Sequence, residues 1–287
     1  MTTANARLSL NQATIKYSTL DEALALTAAA GIQSVGLWRE PVAEVGLTES
    51  AKRVADSGLR VSSLCRGGFF TAEEGQARRS AIDENRRAIE EAATLAAAGA
   101  PGSRAVLVLV AGALPTGSRD LIGTRARVRD AVEELVPDAL AAGVILGIEP
   151  LHPIFAADRA VVSTLGQALD LAEGLPSAAV GAIVDTYHIW WDPQVLDQIA
   201  RAGRAGRIAS YQVCDWVTPL PADVLLGRGQ PGDGHIDFAP MTQAVINAGY
   251  TGDIEVEIFN QAIWDAAPRD TIGRTIDAFA QHVEPHL

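Results

Sequence analysis

Short apolar runs recur eight times along the chain, and longer alanine-rich runs with scattered charges separate them. The apolar runs occupy residues 8–12, 34–38, 61–65, 105–111, 144–149, 180–185, 208–215 and 254–259. Regular alternation of strand-like and helix-like runs predicts a parallel sheet joined by crossover helices. Because eight such units occur within 287 residues, we predict an α/β fold, a single (β/α)8 TIM barrel domain over residues 1–287.

Residues that typically begin or end helices lie between the predicted strands. Ser18 is followed three residues later by Asp21, which predicts a capped helix over residues 19–30 that ends at Gly31. The last helix is predicted to begin near Pro268, because proline suits a first helical turn. Other helices are predicted over residues 81–98, 119–142 and 163–174.

The acidic composition narrows the function classes. The net charge is −12 at pH 7, so no basic stripe is available to neutralise a nucleic-acid backbone. Hydrophobic residues make up 48% of the chain, yet no apolar run reaches the length of a membrane span or a signal peptide. Cys65 and Cys214 lie far apart and form no CxxC pair, which is typical of a protein in the reducing cytoplasm.

Four oxygen-bearing side chains lie near the ends of the fifth to eighth predicted strands. They are Glu149, Asp185, Gln212 and Glu257. The carboxyl ends of parallel strands meet at one rim of a barrel, so these side chains could surround one ion. Three carboxylates and an amide oxygen suit a hard cation, Mn²⁺ or Mg²⁺, better than structural zinc. The alternative is that each acid caps a strand end or pairs with a basic residue.

Three motifs carry a resemblance to a known family: GIEP with Glu149, VDTYH with Asp185 and His188, and YTGDIEVE with Glu257. They resemble the xylose isomerase-like TIM barrels, which include sugar phosphate isomerases and epimerases, inosose dehydratase and endonuclease IV. In the ketose 3-epimerases of this family, two acids bind the metal and exchange protons with substrate carbon through a metal-stabilised enediolate. The resemblance implies that Glu149 and Glu257 are this catalytic pair and that Asp185 is a further ligand.

One departure from the family concerns the seventh strand, where a histidine ligand is common. The matching stretch here is YQVCD, which offers Gln212, a weaker neutral ligand. Either Gln212 completes the metal sphere or another residue does, and His152 in EPLHP is the candidate. His152 could instead be a general acid, a substrate contact or a histidine hydrogen-bonded to loop backbone.

Two long connections, residues 66–70 and 216–238, follow the third and seventh strands, where barrel enzymes place substrate-binding loops. Aromatic faces stack on sugar C–H surfaces, and arginines bind hydroxyl groups or phosphate. Core packing is the alternative for the aromatic residues, and a plain helix start is the alternative for His188. The predicted substrate-binding residues are Trp38, Arg66, His152, His188, Arg228 and His235.

Glu255 is the most unusual residue of the pattern. Strict alternation from Glu257 turns it toward the barrel interior, where a bare charge is costly. We expect Asn11 or Arg66 to satisfy it, unless a bulge turns it outward.

These observations predict a divalent-metal-dependent isomerase or epimerase that acts on a sugar or cyclitol by proton transfer next to a carbonyl. The alternative is a lyase or dehydratase of the same barrel, acting on a keto-sugar, a keto-inositol or a 3-oxo-glycoside. A non-catalytic sugar-binding barrel is the third hypothesis. Five histidines and a charge of −12 argue against a zinc-dependent endonuclease. We expect a small carbohydrate substrate, no nucleic-acid or membrane partner, and a homo-oligomer or partner subunit as open alternatives.

Overall fold

Eight parallel strands close into a barrel in the computed structural model, which describes residues 6–287. The barrel strands are β1 Leu8–Asn11, β2 Ser34–Trp38, β3 Arg60–Gly68, β4 Val106–Val110, β5 Ile145–Glu149, β6 Val180–Asp185, β7 Ile208–Val213 and β10 Ile254–Val256. Around the barrel their order is β1-β10-β7-β6-β5-β4-β3-β2, and β10 pairs with β1 to close it. The predicted TIM barrel is therefore confirmed. That one domain spans residues 1–287 stays a prediction, and its first five residues lie outside the described range.

Helices cover the outside of the barrel and short helices border its rim. The predicted Ser18 cap is displaced by one residue: the Thr19 side chain accepts from Glu22 N, and the Glu22 carboxylate accepts from Thr19 N. Pro268 opens the last helix as predicted. The helices are α1 Leu20–Ala29, α2 Arg39–Val45, α3 Leu47–Ser57, α4 Gln76–Ala98, α5 Leu121–Ala142, α6 Leu165–Ala172, α7 Thr186–Ile189, α8 Val195–Arg204, α9 Phe238–Asn247, α10 Gln261–Trp264 and α11 Pro268–His282.

The strand residues are buried almost throughout because helices cover one face and the barrel interior covers the other. In β4, all five residues of VLVLV are buried. Glycines make room inside the barrel: a Cβ on Gly147 would lie 2.5 Å from Ile183 Cδ1. No helix within residues 6–287 combines the length and hydropathy that crossing a bilayer requires.

A small antiparallel hairpin lies over the rim after β7. Its strands are β8 Asp215–Trp216 and β9 Arg228–Gly229. Asp215 fixes the returning loop: its Oδ2 accepts from Gly232 N at 2.9 Å and Gly234 N at 2.8 Å, and its Oδ1 accepts from Ile236 N at 2.9 Å. These charge-assisted bonds hold the loop against β7, so that Arg228 enters the barrel mouth.

Candidate active site at the carboxyl ends of the strands

Three acids that the sequence predicts as site residues lie together at the barrel mouth. Glu149 ends β5, Asp185 ends β6 and Glu257 directly follows β10, and all three are buried. A cavity of about 230 Å³ opens between the rim loops above them. Its lining includes Trp38, Cys65, Arg66, Phe69, Glu149, His188, Arg228, Glu257 and Phe259.

Arg228 is the positive centre of this group. Its Nη1 donates to Asp185 Oδ2 at 3.3 Å and to Glu257 Oε2 at 3.1 Å. Its Nη2 lies 3.0 Å from Nε2 of His188. The guanidinium is itself buried, so the two carboxylates compensate its charge, just as it compensates theirs. The hairpin loop therefore places the positive charge of Arg228 beside the acids at the strand ends.

Negative charge still exceeds positive charge among the buried groups. Burial, reinforced by the neighbouring acids Glu257 and Asp185, raises the pKa of Glu149 well above its usual value. Burial raises the pKa of Glu257 to about 7, although Arg228 opposes that shift. Burial also raises the pKa of Asp185. A further positive charge at this position would favour the ionised carboxylates.

Gln212 lies in register with Asp185 on one side and with Glu255 on the other, one layer into the barrel. Its Nε2 donates to Glu255 Oε1 at 3.1 Å, whereas its Oε1 is buried with no hydrogen-bond partner among the described residues. The four ligands that the sequence predicts carry only oxygen donors; Glu149 and Glu257 line the cavity, whereas Gln212 and Asp185 are absent from its lining. The donor set suits a hard divalent cation, and the unpartnered Oε1 and the uncompensated negative charge agree with one. Glu149, Asp185 and His188 also offer donor atoms within 4.8 Å of one another.

Glu255 does lie inside the barrel, as alternation predicts, and it is fully buried. Asn11 is one of its partners: Asn11 Nδ2 donates to Glu255 Oε1 at 2.6 Å. The sequence did not reveal the hydroxyl donors of Ser62, at 2.5 Å, and Ser63, at 2.8 Å. Neither Arg66 nor a bulge is involved, since Glu255 pairs in register with Ser9 and Gln212.

The two predicted histidines of the site differ in position. His188 lies in α7 and lines the cavity, and its Nδ1 accepts from the backbone N of His152 at 3.1 Å. Burial and the adjacent Arg228 charge hold the pKa of His188 well below its usual value, so its imidazole is neutral. The His152 ring turns toward Trp216, with centroids 4.8 Å apart, and its Nδ1 accepts from Ile154 N. His152 is therefore bonded to loop backbone and is absent from the cavity lining described above.

At the rim, Trp38 and Arg66 line the cavity, and the Arg66 guanidinium lies over the rings of Trp38 and Phe69 at 5.4 and 5.3 Å. His235 instead is exposed, and its Nε2 lies 2.8 Å from Thr218 Oγ1. The structure thus brings Trp38, Arg66, His188 and Arg228 to the acids and leaves His235 and His152 outside the cavity lining.

Sequence reasoning assigned no role to three residues near the acids. Cys65 Sγ lies 3.8 Å from Glu257 Oε1, and burial raises the pKa of its thiol well above the usual value. Phe259 packs edge-on against Trp38 with centroids 5.5 Å apart. Asp215 positions the Arg228 loop, and its place at the end of YQVCD was the only available signal.

Comparison with known proteins identifies the family. A family model described as xylose isomerase-like TIM barrel matches residues 24–282. The chain belongs to the xylose isomerase-like TIM barrel family. The crystal structure of protein SMc04130 from Sinorhizobium meliloti 1021 superposes with a TM-score of 0.90 at 43% identity, covering 96% of this chain and 98% of that one.

Two relatives of the chain are enzymes by name. The L-ribulose 3-epimerase of Mesorhizobium japonicum is 27% identical over 256 residues, 86% of this chain and 78% of the relative. The 3-dehydroshikimate dehydratase of Pseudomonas aeruginosa is 31% identical over 157 residues, 52% of this chain but 23% of the relative. The matched stretch thus covers less than a quarter of the dehydratase. The relatives support an enzyme and include both an epimerase and a dehydratase.

Proposed function

We propose that the protein is a divalent-metal-dependent isomerase or epimerase that moves a proton on a carbon next to a carbonyl in a sugar or cyclitol. The observation that carries the proposal is the pair Glu149 and Glu257, two buried carboxylates on strands separated by β6 and β7 around the barrel. Both line one cavity, so one acid can remove a proton and the other can return one.

The raised pKa values suit this chemistry. A carboxyl group whose pKa is about 7, as for Glu257, exchanges protons efficiently near neutral pH. Burial and the neighbouring acids also raise the pKa of Glu149 well above its usual value, and a cation held by the pair would lower the pKa of both carboxyl groups. Arg228 lies between Asp185 and Glu257 and would stabilise an oxyanion that develops on substrate beside it.

The metal site proposed here consists of Glu149, Asp185, Gln212 and Glu257, and Mn²⁺ or Mg²⁺ is the preferred occupant. Such a cation would supply positive charge next to the substrate carbonyl and so make the adjacent C–H more acidic. The substrate would lie in the 230 Å³ cavity, against the rings of Trp38, Phe69 and Phe259. Aromatic surfaces of this kind pack against the C–H faces of sugars.

A dehydratase is the second candidate, and the 31% identity to part of the 3-dehydroshikimate dehydratase favours it. Removal of the first proton would be shared, and an acid would then protonate the departing hydroxyl. His152 serves this step poorly, because its ring packs against Trp216 and its Nδ1 accepts from its own loop. Glu149, whose carboxyl lines the cavity and whose pKa burial raises well above its usual value, is the better candidate for this acid.

The test is to incubate the metal-loaded protein with ketoses, keto-inositols and 3-oxo sugars in D₂O. Solvent deuterium in a recovered sugar supports the isomerase or epimerase, whereas water release with an unsaturated product selects the dehydratase. Glu149→Gln and Glu257→Gln should each lose at least about 100-fold in rate, because each removes an acid–base group. Glu90→Gln, at an exposed position of α4, is the matched control and should keep full activity. Full activity of the Glu257→Gln variant would contradict the mechanism.

A further inference from the structure

The orientation of the Gln212 amide can be traced through a row of hydrogen bonds that begins at the rim. Trp38 Nε1 and the backbone N of Ala13 both donate to Asn11 Oδ1, each at 2.8 Å. Two donors identify this atom as the oxygen, so Nδ2 is the atom that faces Glu255, at 2.6 Å. Asn11 therefore has one permitted orientation, and Glu255 Oε1 is an acceptor.

Glu255 itself has little freedom to move. The hydroxyls of Ser62 and Ser63 donate to Oε2, and Gly36 packs so closely that a Cβ there would lie 2.5 Å from Glu255 Cδ. The fixed carboxylate requires an N–H from Gln212, because the opposite amide orientation would bring two oxygens to 3.1 Å. Gln212 Oε1 consequently points away from Glu255, and it is the buried atom without a partner.

We propose that Asn11 and Glu255 are positioning residues that orient Gln212 so that its Oε1, and not its NH₂ group, is offered to a divalent cation. The inference rests on the metal site of the proposed function. A buried acceptor without a partner is costly, and a cation held by Glu149, Asp185 and Glu257 would satisfy it. Partners of this kind behind a ligand contribute about 10-fold to 100-fold to metal affinity.

The experiment measures the Kd of the metal-free protein for Mn²⁺, with free Mn²⁺ followed by its solution EPR signal and no substrate present. Glu255→Leu removes the acceptor that faces Gln212, so its amide can turn either way; Glu255→Gln would not serve, because Asn11 Nδ2 would keep an oxygen at that position. We expect Mn²⁺ binding to weaken by about 10-fold to 100-fold in Glu255→Leu. Gln212→Leu should weaken binding to a similar extent. Adding Glu255→Leu to Gln212→Leu should weaken it no further, because no amide remains to be oriented.

Two more variants guard against a purely structural effect. Thr242→Val removes a buried hydrogen bond to Tyr211, the neighbour of Gln212 in β7, and should leave Mn²⁺ affinity unchanged. Asn11→Ser removes the amide link while Glu255 keeps its serine donors, and should weaken binding about threefold to tenfold, the equivalent of one hydrogen bond. Unfolding temperatures of the metal-free variants confirm that each is folded.

Unchanged Mn²⁺ affinity in both Glu255→Leu and Asn11→Ser would overturn the proposal. Equal losses from Glu255→Leu with Gln212 present or replaced by leucine would also overturn it, because the effect would not pass through the amide. In both cases, binding of Mn²⁺ by the wild-type protein would still support the metal site of the proposed function. Failure of the wild-type protein to bind Mn²⁺ would overturn that site and the positioning role together.

Discussion

Gly36→Ala is expected to destabilise the protein through its effect on Glu255. The new Cβ would lie 2.5 Å from Glu255 Cδ, 2.6 Å from Oε1 and 2.7 Å from Oε2. Ordinary contact requires the carboxylate to withdraw by about 0.9 Å, which stretches the bonds it accepts from Asn11, Ser62 and Ser63. Loss of one to two hydrogen bonds to a buried charge costs about 3 kcal/mol.

The assay is urea unfolding of the metal-free protein, with Gly273→Ala as the matched control. Gly273 lies at an exposed position of α11, and a Cβ there meets nothing within 4 Å. The same chemical change should therefore stabilise that helix, by about 0.5–1 kcal/mol. A loss below about 1 kcal/mol in Gly36→Ala would show that Glu255 moves freely and would refute the idea of a pinned carboxylate.

Three further predictions concern the charges of the site. Arg228→Met removes the buried partner of Asp185 and Glu257 and should lower the free energy of unfolding of the metal-free protein in urea by about 3–5 kcal/mol. Mn²⁺ should reduce that loss of stability. A loss below about 1 kcal/mol would count against the ion pairs. Wild type should lose stability relative to Glu257→Gln as pH rises from 4.5 to about 7, because the folded state keeps a proton on Glu257 that the unfolded chain releases; a rising difference would contradict the raised pKa. Asp215→Asn should lower the free energy of unfolding by about 2–4 kcal/mol and raise KM, because the loop that carries Arg228 is no longer anchored. An unchanged KM would show that the loop does not position Arg228 for substrate.

Much of the site could be predicted from sequence because a closed parallel barrel converts chain position into spatial position. An acid at the carboxyl end of a strand lies at the rim whatever the details of packing, so the sequence alone predicts Glu149, Asp185 and Glu257 at one rim; their metal-binding and catalytic roles stay predictions. Alternation also predicted the inward direction of Glu255, and of the two partners suggested for it, Asn11 and Arg66, Asn11 is the one that donates to it.

Other features depend on register, which sequence patterns leave open. Ser62 and Ser63 reach Glu255 across 193 and 192 residues of chain, and no local pattern marks them as its donors. The ring direction of His152 is likewise set by packing against Trp216 in a loop far along the chain. Localisation and the exclusion of nucleic-acid and membrane partners stay predictions from the sequence, and the homo-oligomer and the partner subunit stay alternatives.

The hydrogen bond between Gln212 and Glu255 constrains how this barrel could have diverged. An acid at position 255 can accept an N–H from an amide or from an imidazole at position 212, and in either case an acceptor atom remains for the mouth of the barrel. With an apolar residue at position 255, nothing would stop an amide from turning. An acid at position 255 is therefore the condition under which either glutamine or histidine can stand at position 212 with its acceptor atom turned away from 255. Replacement at 212 is tolerated only while that acid is kept, so the two positions are expected to vary together.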